Sequence, residues 1–212
     1  MLVLRRLEAK ILGRSLHLVE FAGQWTSSER RQFECDMRVI ENFVTPAEEA
    51  GLLREIEPHI SRLPYESSHW DEAIHGYREL ERRKWSPQNR VVLDRVSREA
   101  FGGRAMPFVH ILDLAEVGVI KPHVDSIRFC GHTIAGISLL SDCVMRLQRV
   151  AKGPDPPCQS ADLLLPRHSL YIMRALARYE FTHEILAREE SRFRNRSVER
   201  RRRVSVICRN DP

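Results

Sequence analysis

The chain has 212 residues, of which 42% are hydrophobic and 30% are charged. This balance is typical of one folded domain and excludes a disordered chain, and no stretch reaches the roughly 18 consecutive apolar residues of a membrane span. The net charge is +5. Because much of the excess lies in one run near the C-terminus, a solvated basic loop explains the charge more simply than a nucleic-acid surface.

The first 22 residues differ from the rest of the chain. Arg6, Lys10 and Arg14 recur at every fourth position and therefore share one helix face, while leucines favour another. Such a segment is typical of a mitochondrial transit peptide, and an ordinary amphipathic helix is the alternative. We expect residues 1–22 to be a transit peptide and residues 23–212 to form one domain.

Two helices are predicted before residue 104. The first begins at the capping box Thr45-Pro46-Ala47-Glu48, which has proline at the first helical position. Pro58 is expected to kink this helix or end it early. The second helix begins at Ser86-Pro87 and stops at Gly102-Gly103. The aromatic-rich stretch 65–85 between them gives no clear prediction.

After residue 104 the pattern becomes that of β-strands. Short apolar or alternating runs are separated by proline, glycine and polar residues, and several short strands at this spacing predict a barrel or jelly roll. The predicted strands are Val109–Leu114, Thr133–Leu140, Val144–Val150, Asp162–Leu165, Ser169–Met173, Arg178–Ile185 and Arg203–Cys208, with a proline-rich loop at Lys152–Gln159.

The segment Lys121-Pro122-His123-Val124-Asp125 holds an HxD pair. Residues two apart in an extended strand point to the same side, roughly 6.6 Å apart, so His123 and Asp125 could offer an imidazole and a carboxylate to one metal ion. A third ligand would complete the facial triad of two histidines and one carboxylate that non-haem iron oxygenases use. HxD alone is a weak signal, because most such pairs are structural.

The candidate third ligand is His183. If the surrounding segment is a strand, Tyr179, Phe181 and His183 share one face, and an inward face of this kind suits a metal pocket. The alternative is a half-buried histidine packed by aromatic rings. A zincin helix is excluded, because Ala187 stands where its second histidine would be.

The segment 203–209 alternates between two kinds of side chain. Arginines lie on the face opposite a stripe of small apolar residues, which suits a pocket for a dicarboxylate, because guanidinium groups clamp carboxylates and stay charged when buried. The Cα atoms of the two arginines are roughly 20 Å apart in a flat strand, so Arg203 is the stronger candidate. One face holds Val204, Val206 and Cys208, and the other holds Arg203, Ser205, Ile207 and Arg209.

These residues together resemble the AlkB family of 2-oxoglutarate dioxygenases, whose pattern is HxD, a distal histidine and an Arg-x5-Arg strand. Within it, the chain is most similar to the mitochondrial AlkB homologue 7 subfamily. The resemblance spans most of residues 65–209. The segments that carry it are HWDEAIHGYRE (69–79), HILDL (110–114), IKPHVDSIRFCGHTIAGISLLS (120–141), SLYIMRALARYEFTHEIL (169–186) and RRVSVICR (202–209).

The resemblance implies an α+β, strand-rich fold: a double-stranded β-helix, or jelly roll of the cupin kind, with the N-terminal helices packed on the barrel. It implies Fe(II) in the mouth of the barrel, held by His123, Asp125 and His183. It also implies that 2-oxoglutarate and O₂ are cosubstrates and that a substrate C–H bond is oxidised while succinate and CO₂ form.

Four further residues are implied as cosubstrate contacts. Arg203 would pair with the distal carboxylate of 2-oxoglutarate, Tyr171 would donate its hydroxyl to the same molecule, and Arg209 would lie near the inner carboxylate. Ser205 completes the set. Repair enzymes of the family usually carry asparagine at that position, and the chain has limited room for a nucleotide-recognition lid ahead of the HxD. Both departures argue against base flipping.

The favoured hypothesis is a monomeric protein hydroxylase of the mitochondrial matrix, linked to alkylation-damage-induced programmed necrosis and fatty acid metabolism. The alternative is a demethylase of N-methylated RNA or DNA. The basic run 188–203 would bind the phosphates of this nucleic acid, and aromatic side chains would stack on its bases. A non-enzymatic module is a third reading, which the complete triad and Arg203 argue against. The aromatic residues in question are Tyr65, Trp70, Tyr77 and Trp85.

Overall fold

A computed structural model describes residues 16–67, 72–151 and 159–212. After a 3₁₀ turn at Leu16–Leu18, its helices are α1 (Ser27–Asp36), α2 (Pro46–Ile60), α3 (Pro87–Phe101) and α4 (Ala175–Tyr179). Its strands are β1 (Val19–Gly23), β2 (Met37–Ile40), β3 (Ile74–Arg82), β4 (Val109–His123), β5 (Thr133–Leu139), β6 (Cys143–Arg149), β7 (Gln159–Leu165), β8 (Leu170–Arg174), β9 (Phe181–Ile185), β10 (Arg192–Phe193), β11 (Arg196–Ser197) and β12 (Arg203–Arg209). Within the described ranges, no helix is long and apolar enough to cross a membrane.

One curled antiparallel sheet dominates the described chain. Its strand order is β1-β7-β6-β9-β4-β12-β5-β8-β2, with β3 paired to β4, while β10 and β11 form a separate hairpin. The long strand β4 joins the two halves. Ile111 near its start pairs with Val206 of β12, and His123 at its end pairs with His183 of β9. The strand-rich jelly roll expected from the sequence is therefore what forms.

Side chains are buried on both faces of this sheet. Helices α2 and α3 cover the outer face and pack against β5, β8 and β12. The inner face encloses a second apolar cluster, which lies inside the curled sheet. Strand β12 contributes to both, since Val204, Val206 and Cys208 belong to the outer cluster and Ile207 to the inner one. The alternation of side chains between two faces, predicted for residues 203–209, is therefore observed.

Helix α2 begins at the predicted capping box. Thr45 donates its backbone N–H to Glu48 at 2.8 Å, and its side chain accepts the Glu48 N–H at 3.1 Å. The expectation that Pro58 would end the helix early is wrong, because α2 continues to Ile60. Pro58 falls in the last turn, where it removes only one helical hydrogen bond, and the complete burial of Ile56 and Ile60 holds that turn against the sheet.

The single strand predicted at Arg178–Ile185 is also wrong. Residues 175–179 form the short helix α4, and β9 begins only at Phe181. The turn lets Arg178 reach the interior, where it is 1% exposed, and leaves the Tyr179 ring 44% exposed. Tyr179 therefore does not share an inward face with His183. Burial of neighbouring side chains decided this, which local alternation could not reveal.

Residues 1–15, which form most of the predicted transit peptide, lie outside the described residues. Strand β1 pairs with β7, with Val19 opposite Leu163, and Leu18 is 2% exposed. The boundary drawn after residue 22 thus falls inside a strand of the sheet. The transit peptide itself stays a prediction. Most of the predicted loop, residues 152–158, also lies outside the described ranges.

An aromatic cluster attaches α1 to the sheet. The Phe33 ring is fully buried, and its centroid is 5.3 Å from that of Trp25, 5.2 Å from that of Phe181 and 5.7 Å from that of Phe21. Edge-to-face contacts at these distances add to the stabilisation from burial.

We predict that Phe33→Ala lowers the free energy of unfolding by about 3–5 kcal/mol, because it leaves a cavity among rigid rings. Denaturant titration followed by circular dichroism measures the loss. Val117→Ala is the matched control: that side chain is 83% exposed, and its truncation should change stability by less than about 0.5 kcal/mol. Equal stability of the two variants would contradict the packing described.

Candidate active site

Three side chains that could hold a metal ion, called the metal-ligand residues below, meet at the end of β4. His123 ends this strand, Asp125 follows in the next loop, and His183 faces His123 from β9. The two imidazole centroids are 4.3 Å apart, and their Nε2 atoms lie 3.2 Å and 3.6 Å from Oδ1 of Asp125. One donor atom from each residue lies within 4.8 Å of the others. Asp125 lies in the irregular segment after the strand, so the pleat of an extended HxD is not what brings it to the histidines.

The protonation states of these groups suit metal binding. The Nδ1 of His123 is 2.8 Å from the carbonyl of Lys121, which can only accept, so Nε2 is left to bind a metal. Burial, with His123 nearby, lowers the pKa of His183 to about 4, so its imidazole is neutral. Burial by itself would raise the pKa of Asp125, but His123, His183 and Arg209 together hold it below its usual range. Two imidazoles and a carboxylate are a donor set that Fe(II) accepts.

A buried guanidinium lies on the inner face of β12. Arg203 is 2% exposed, and its Nε and Nη2 donate to Oγ of Ser138 at 3.2 and 2.8 Å, while Nη1 donates to Oγ of Ser205. No carboxylate among the described residues lies within ion-pair distance of it. Since an uncompensated buried charge is costly, the arrangement fits a pocket that receives an anion.

Tyr171 reaches the same pocket from β8. It lies in register with Gly136 of β5, and a Cβ atom at Gly136 would be 2.4 Å from the tyrosine ring. Only glycine therefore lets the ring lie across this strand. Burial raises the pKa of Tyr171 to about 12, so the phenol stays protonated and can donate a hydrogen bond.

The second arginine of β12 lies beside the metal-ligand residues. Nη2 of Arg209 is 3.7 Å from Oδ2 of Asp125, and Nη1 is 3.2 Å from Nδ1 of His110. The His110 ring is in turn 2.7 Å from Glu79 on β3. The two arginines thus occupy different depths of the barrel. Ser138, His110 and Glu79 were missed from the sequence, because their roles depend on which strands become neighbours.

One narrow cavity of about 70 Å³ is lined by every predicted site residue: His123, Asp125, Tyr171, His183, Arg203, Ser205 and Arg209. It adjoins a wider cleft of about 990 Å³, since His123, Asp125 and Arg209 line both. The cleft is also lined by Glu72, Glu79, Glu81 and Phe129. The barrel thus has an inner pocket and an outer cleft that share the metal-ligand residues.

A scan against protein-family models gives no match. The chain is 54% identical over 172 residues to a protein of Bos taurus named alpha-ketoglutarate-dependent dioxygenase alkB homolog 7, mitochondrial; the match covers 80% of this chain and 76% of that protein. The chain belongs to the AlkB homologue 7 family of 2-oxoglutarate-dependent dioxygenases. The Mus musculus protein of the same name is 52% identical over 172 residues, with the same coverage. The family membership and dioxygenase class expected from the sequence are confirmed.

Solved structures share the fold at much lower identity. The structure titled OsALKBH1 has a TM-score of 0.59 at 9% identity and covers 82% of this chain and 98% of that one. A prolyl-4-hydroxylase from Pseudomonas putida has a TM-score of 0.55 at 14% identity and covers 84% and 94%. These likenesses confirm the double-stranded β-helix and carry no information on substrate.

We predict that Gly136→Ala lowers the free energy of unfolding by about 2 kcal/mol, because the added methyl group overlaps the Tyr171 ring. In a Tyr171→Ala background, the same substitution should cost at least about 1 kcal/mol less, since the overlapping ring is gone. Denaturant titration of the four proteins in this cycle gives the coupling. Additive effects would show that the glycine does not make room for the ring.

Proposed function

We propose that His123, Asp125 and His183 hold the iron of this dioxygenase. What carries the proposal is the single inner cavity that these residues share with the unpaired guanidinium of Arg203. Bound there, Fe(II) and 2-oxoglutarate would activate O₂ for oxidation of a substrate C–H bond. The protein's own part is to fix the donor atoms, to keep the imidazoles neutral and to receive the cosubstrate in a closed pocket.

The cosubstrate would lie between the metal ligands and the floor of this cavity. Arg203, already oriented by Ser138 and Ser205, would pair with its distal carboxylate, because a planar guanidinium clamps a carboxylate through parallel hydrogen bonds. Tyr171, a protonated phenol, would donate to the same molecule. Arg209 would face the inner carboxylate beside Asp125. These roles follow the resemblance to the family and agree with the depth of each residue in the barrel.

Anaerobic addition of Fe(II) and 2-oxoglutarate should produce a metal-to-ligand charge-transfer band. We expect Asp125→Ala to abolish it, and Arg203→Met to raise the 2-oxoglutarate concentration needed by about tenfold or more, as loss of charge-assisted hydrogen bonds would. Arg201→Met is the matched control, because that side chain is 69% exposed and pairs with Glu199. The absence of iron-dependent 2-oxoglutarate binding in the unaltered protein would refute the proposal.

We further propose a protein substrate. Three glutamates line the outer cleft, and together with Asp125 they outnumber its two cations, Lys121 and Arg209, so the cleft disfavours the phosphates of a nucleic acid passing over the metal. Of the aromatic residues that could stack bases, Tyr77 is 1% exposed and cannot reach a ligand. Tyr65 is 41% exposed, but the guanidinium of Arg78 already covers one face of its ring, with Cζ 4.4 Å from the ring centroid.

The basic run does form a groove, which is the observation that favours the alternative, an N-methylated RNA or DNA. This groove of about 780 Å³ is lined by Arg167, Arg194, Arg196 and Arg201, beside residues 140–142. Those residues follow one end of β5, whereas Ile134 at the other end lines the metal cavity. The groove and Ile134 are thus six β-strand residues apart, which is roughly 20 Å. A nucleic acid held in the groove would therefore not present its bases to the metal.

Succinate release distinguishes the two substrates. With iron and 2-oxoglutarate supplied, we expect mitochondrial peptide extracts to stimulate succinate formation and methylated tRNA to leave it unchanged. Arg196→Glu, in the basic groove, should not alter the response to peptides. Formaldehyde release with tRNA alone, weakened by Arg196→Glu and by salt, would reverse this ranking.

The matrix is the compartment we propose. The relatives are named mitochondrial, and the basic, leucine-rich segment at residues 1–22 is typical of a presequence. We propose that the chain acts as a monomer. The links to necrosis after alkylation damage and to fatty acid metabolism, implied by the resemblance, stay predictions.

A further inference from the structure

A second buried arginine has no role in the site described above. Arg178 of α4 is 1% exposed, and its Nη2 donates to Sγ of Cys130 at 3.1 Å. Its Nε and Nη1 are buried without a hydrogen-bond partner, and its other close neighbour is the Tyr179 ring, 5.1 Å away. No carboxylate in the described part of the chain pairs with it. A buried cation with two unused donor atoms is costly unless an anion reaches it.

Cys130 connects this arginine to the loop that follows β4, residues 124–132, which carries Asp125 and is called the metal loop below. Its thiol donates to the carbonyl of Ser126 at 3.4 Å, and Ser126 follows Asp125 directly. The far end of the same loop is held by Gly131, which donates to the carbonyl of Asn210 at 2.9 Å. Cys130 is only 2% exposed, but it is one of the residues that line the outer cleft.

The geometry points to Cys130 as a redox-modification site: peroxide converts its thiol to a sulfenic acid, whose oxygen is held by the unused nitrogens of Arg178. The thiolate sulfur attacks one peroxide oxygen, so an S–O bond forms and the O–O bond breaks. The sulfur loses two electrons, and the departing hydroxide takes the thiol proton and leaves as water. Arg178 assists because it contacts the sulfur, and its unused nitrogens can donate to the oxygen that the sulfur gains.

The modification acts on the metal loop. An oxygen drawn toward Arg178 ends the hydrogen bond from the Cys130 thiol to Ser126, and the loop that carries Asp125 loses this contact. Oxidation therefore weakens metal binding, and reduction by a thiol restores it. This consequence rests on the proposed iron site, whereas the chemistry at Cys130 does not.

The first arm of the test uses the full-length, metal-free protein. A brief exposure to hydrogen peroxide with dimedone, followed by peptide mass spectrometry, gives the sulfenic-acid yield at each cysteine. We expect Cys130 to react at least about tenfold faster than Cys143 and Cys208, whose pKa values are raised by burial. Arg178→Met should remove that advantage, Arg178→Lys should restore part of it, and Arg201→Met should leave it unchanged. Equal labelling of the three buried cysteines would overturn the proposal.

The second arm measures Mn(II) affinity by calorimetry after the peroxide has been removed. Oxidised protein should bind Mn(II) about tenfold more weakly than reduced protein, as expected when support for a metal ligand is lost. Cys130→Ser keeps a hydroxyl donor for Ser126 and should be insensitive to peroxide. Labelled protein with unchanged affinity would overturn the switch. Reduced protein that binds no Mn(II) would instead refute the proposed iron site, and the labelling result would stand independently.

Discussion

The antiparallel register between β4 and β9 constrains the rest of the site. It places His123 opposite His183, so both imidazoles reach one point from two different strands. Strand β4 can do this because it is 15 residues long and pairs with β12 near its start and with β9 at its end. A one-residue slip in either pairing would turn a histidine to the other face. The metal-ligand residues thus depend on how the sheet curls.

The inner pocket depends on the first half of the same strand, β4, which pairs with β12. Because β4 also pairs with β12, the side chains of Arg203 and Arg209 point into the barrel that the histidines close. The outer face of β12 is covered by α2 and α3, which leaves its arginines no route to solvent on that side. Burial then keeps Tyr171 protonated and His183 neutral. Arg203, also buried, has no carboxylate partner among the described residues.

Several local features of the fold could be predicted from the amino-acid sequence. The period-two alternation of 203–209 gives both faces of β12 correctly, because a strand buried on both sides still alternates its side chains. The capping box at Thr45 and the left-handed glycine after α3 mark helix ends through local hydrogen bonds, and the structure has both. Such signals are local, so they survive without knowledge of the tertiary fold.

Elements that differed from expectation depend on distant contacts. Helix α4 interrupts a segment with strand-like alternation, because Arg178 is buried against a sulfur from another loop. Strand β1, which was not predicted, forms because it pairs with β7 about 140 residues away. Pro58 stays inside α2 because the last turn packs on the sheet. In each case a nonlocal contact outweighed the local preference.

The sequence by itself determined the family and the residue types of the candidate site: two histidines and a carboxylate that could hold a metal, and two arginines and a tyrosine that could bind a dicarboxylate. It could do so because residue type and spacing set what each group can bind. Tertiary structure alone decided that these six side chains and Ser205 line one cavity, that Ser138 orients Arg203 and that three glutamates line the cleft. Those facts depend on strand register and burial, which arise only when distant segments pack together.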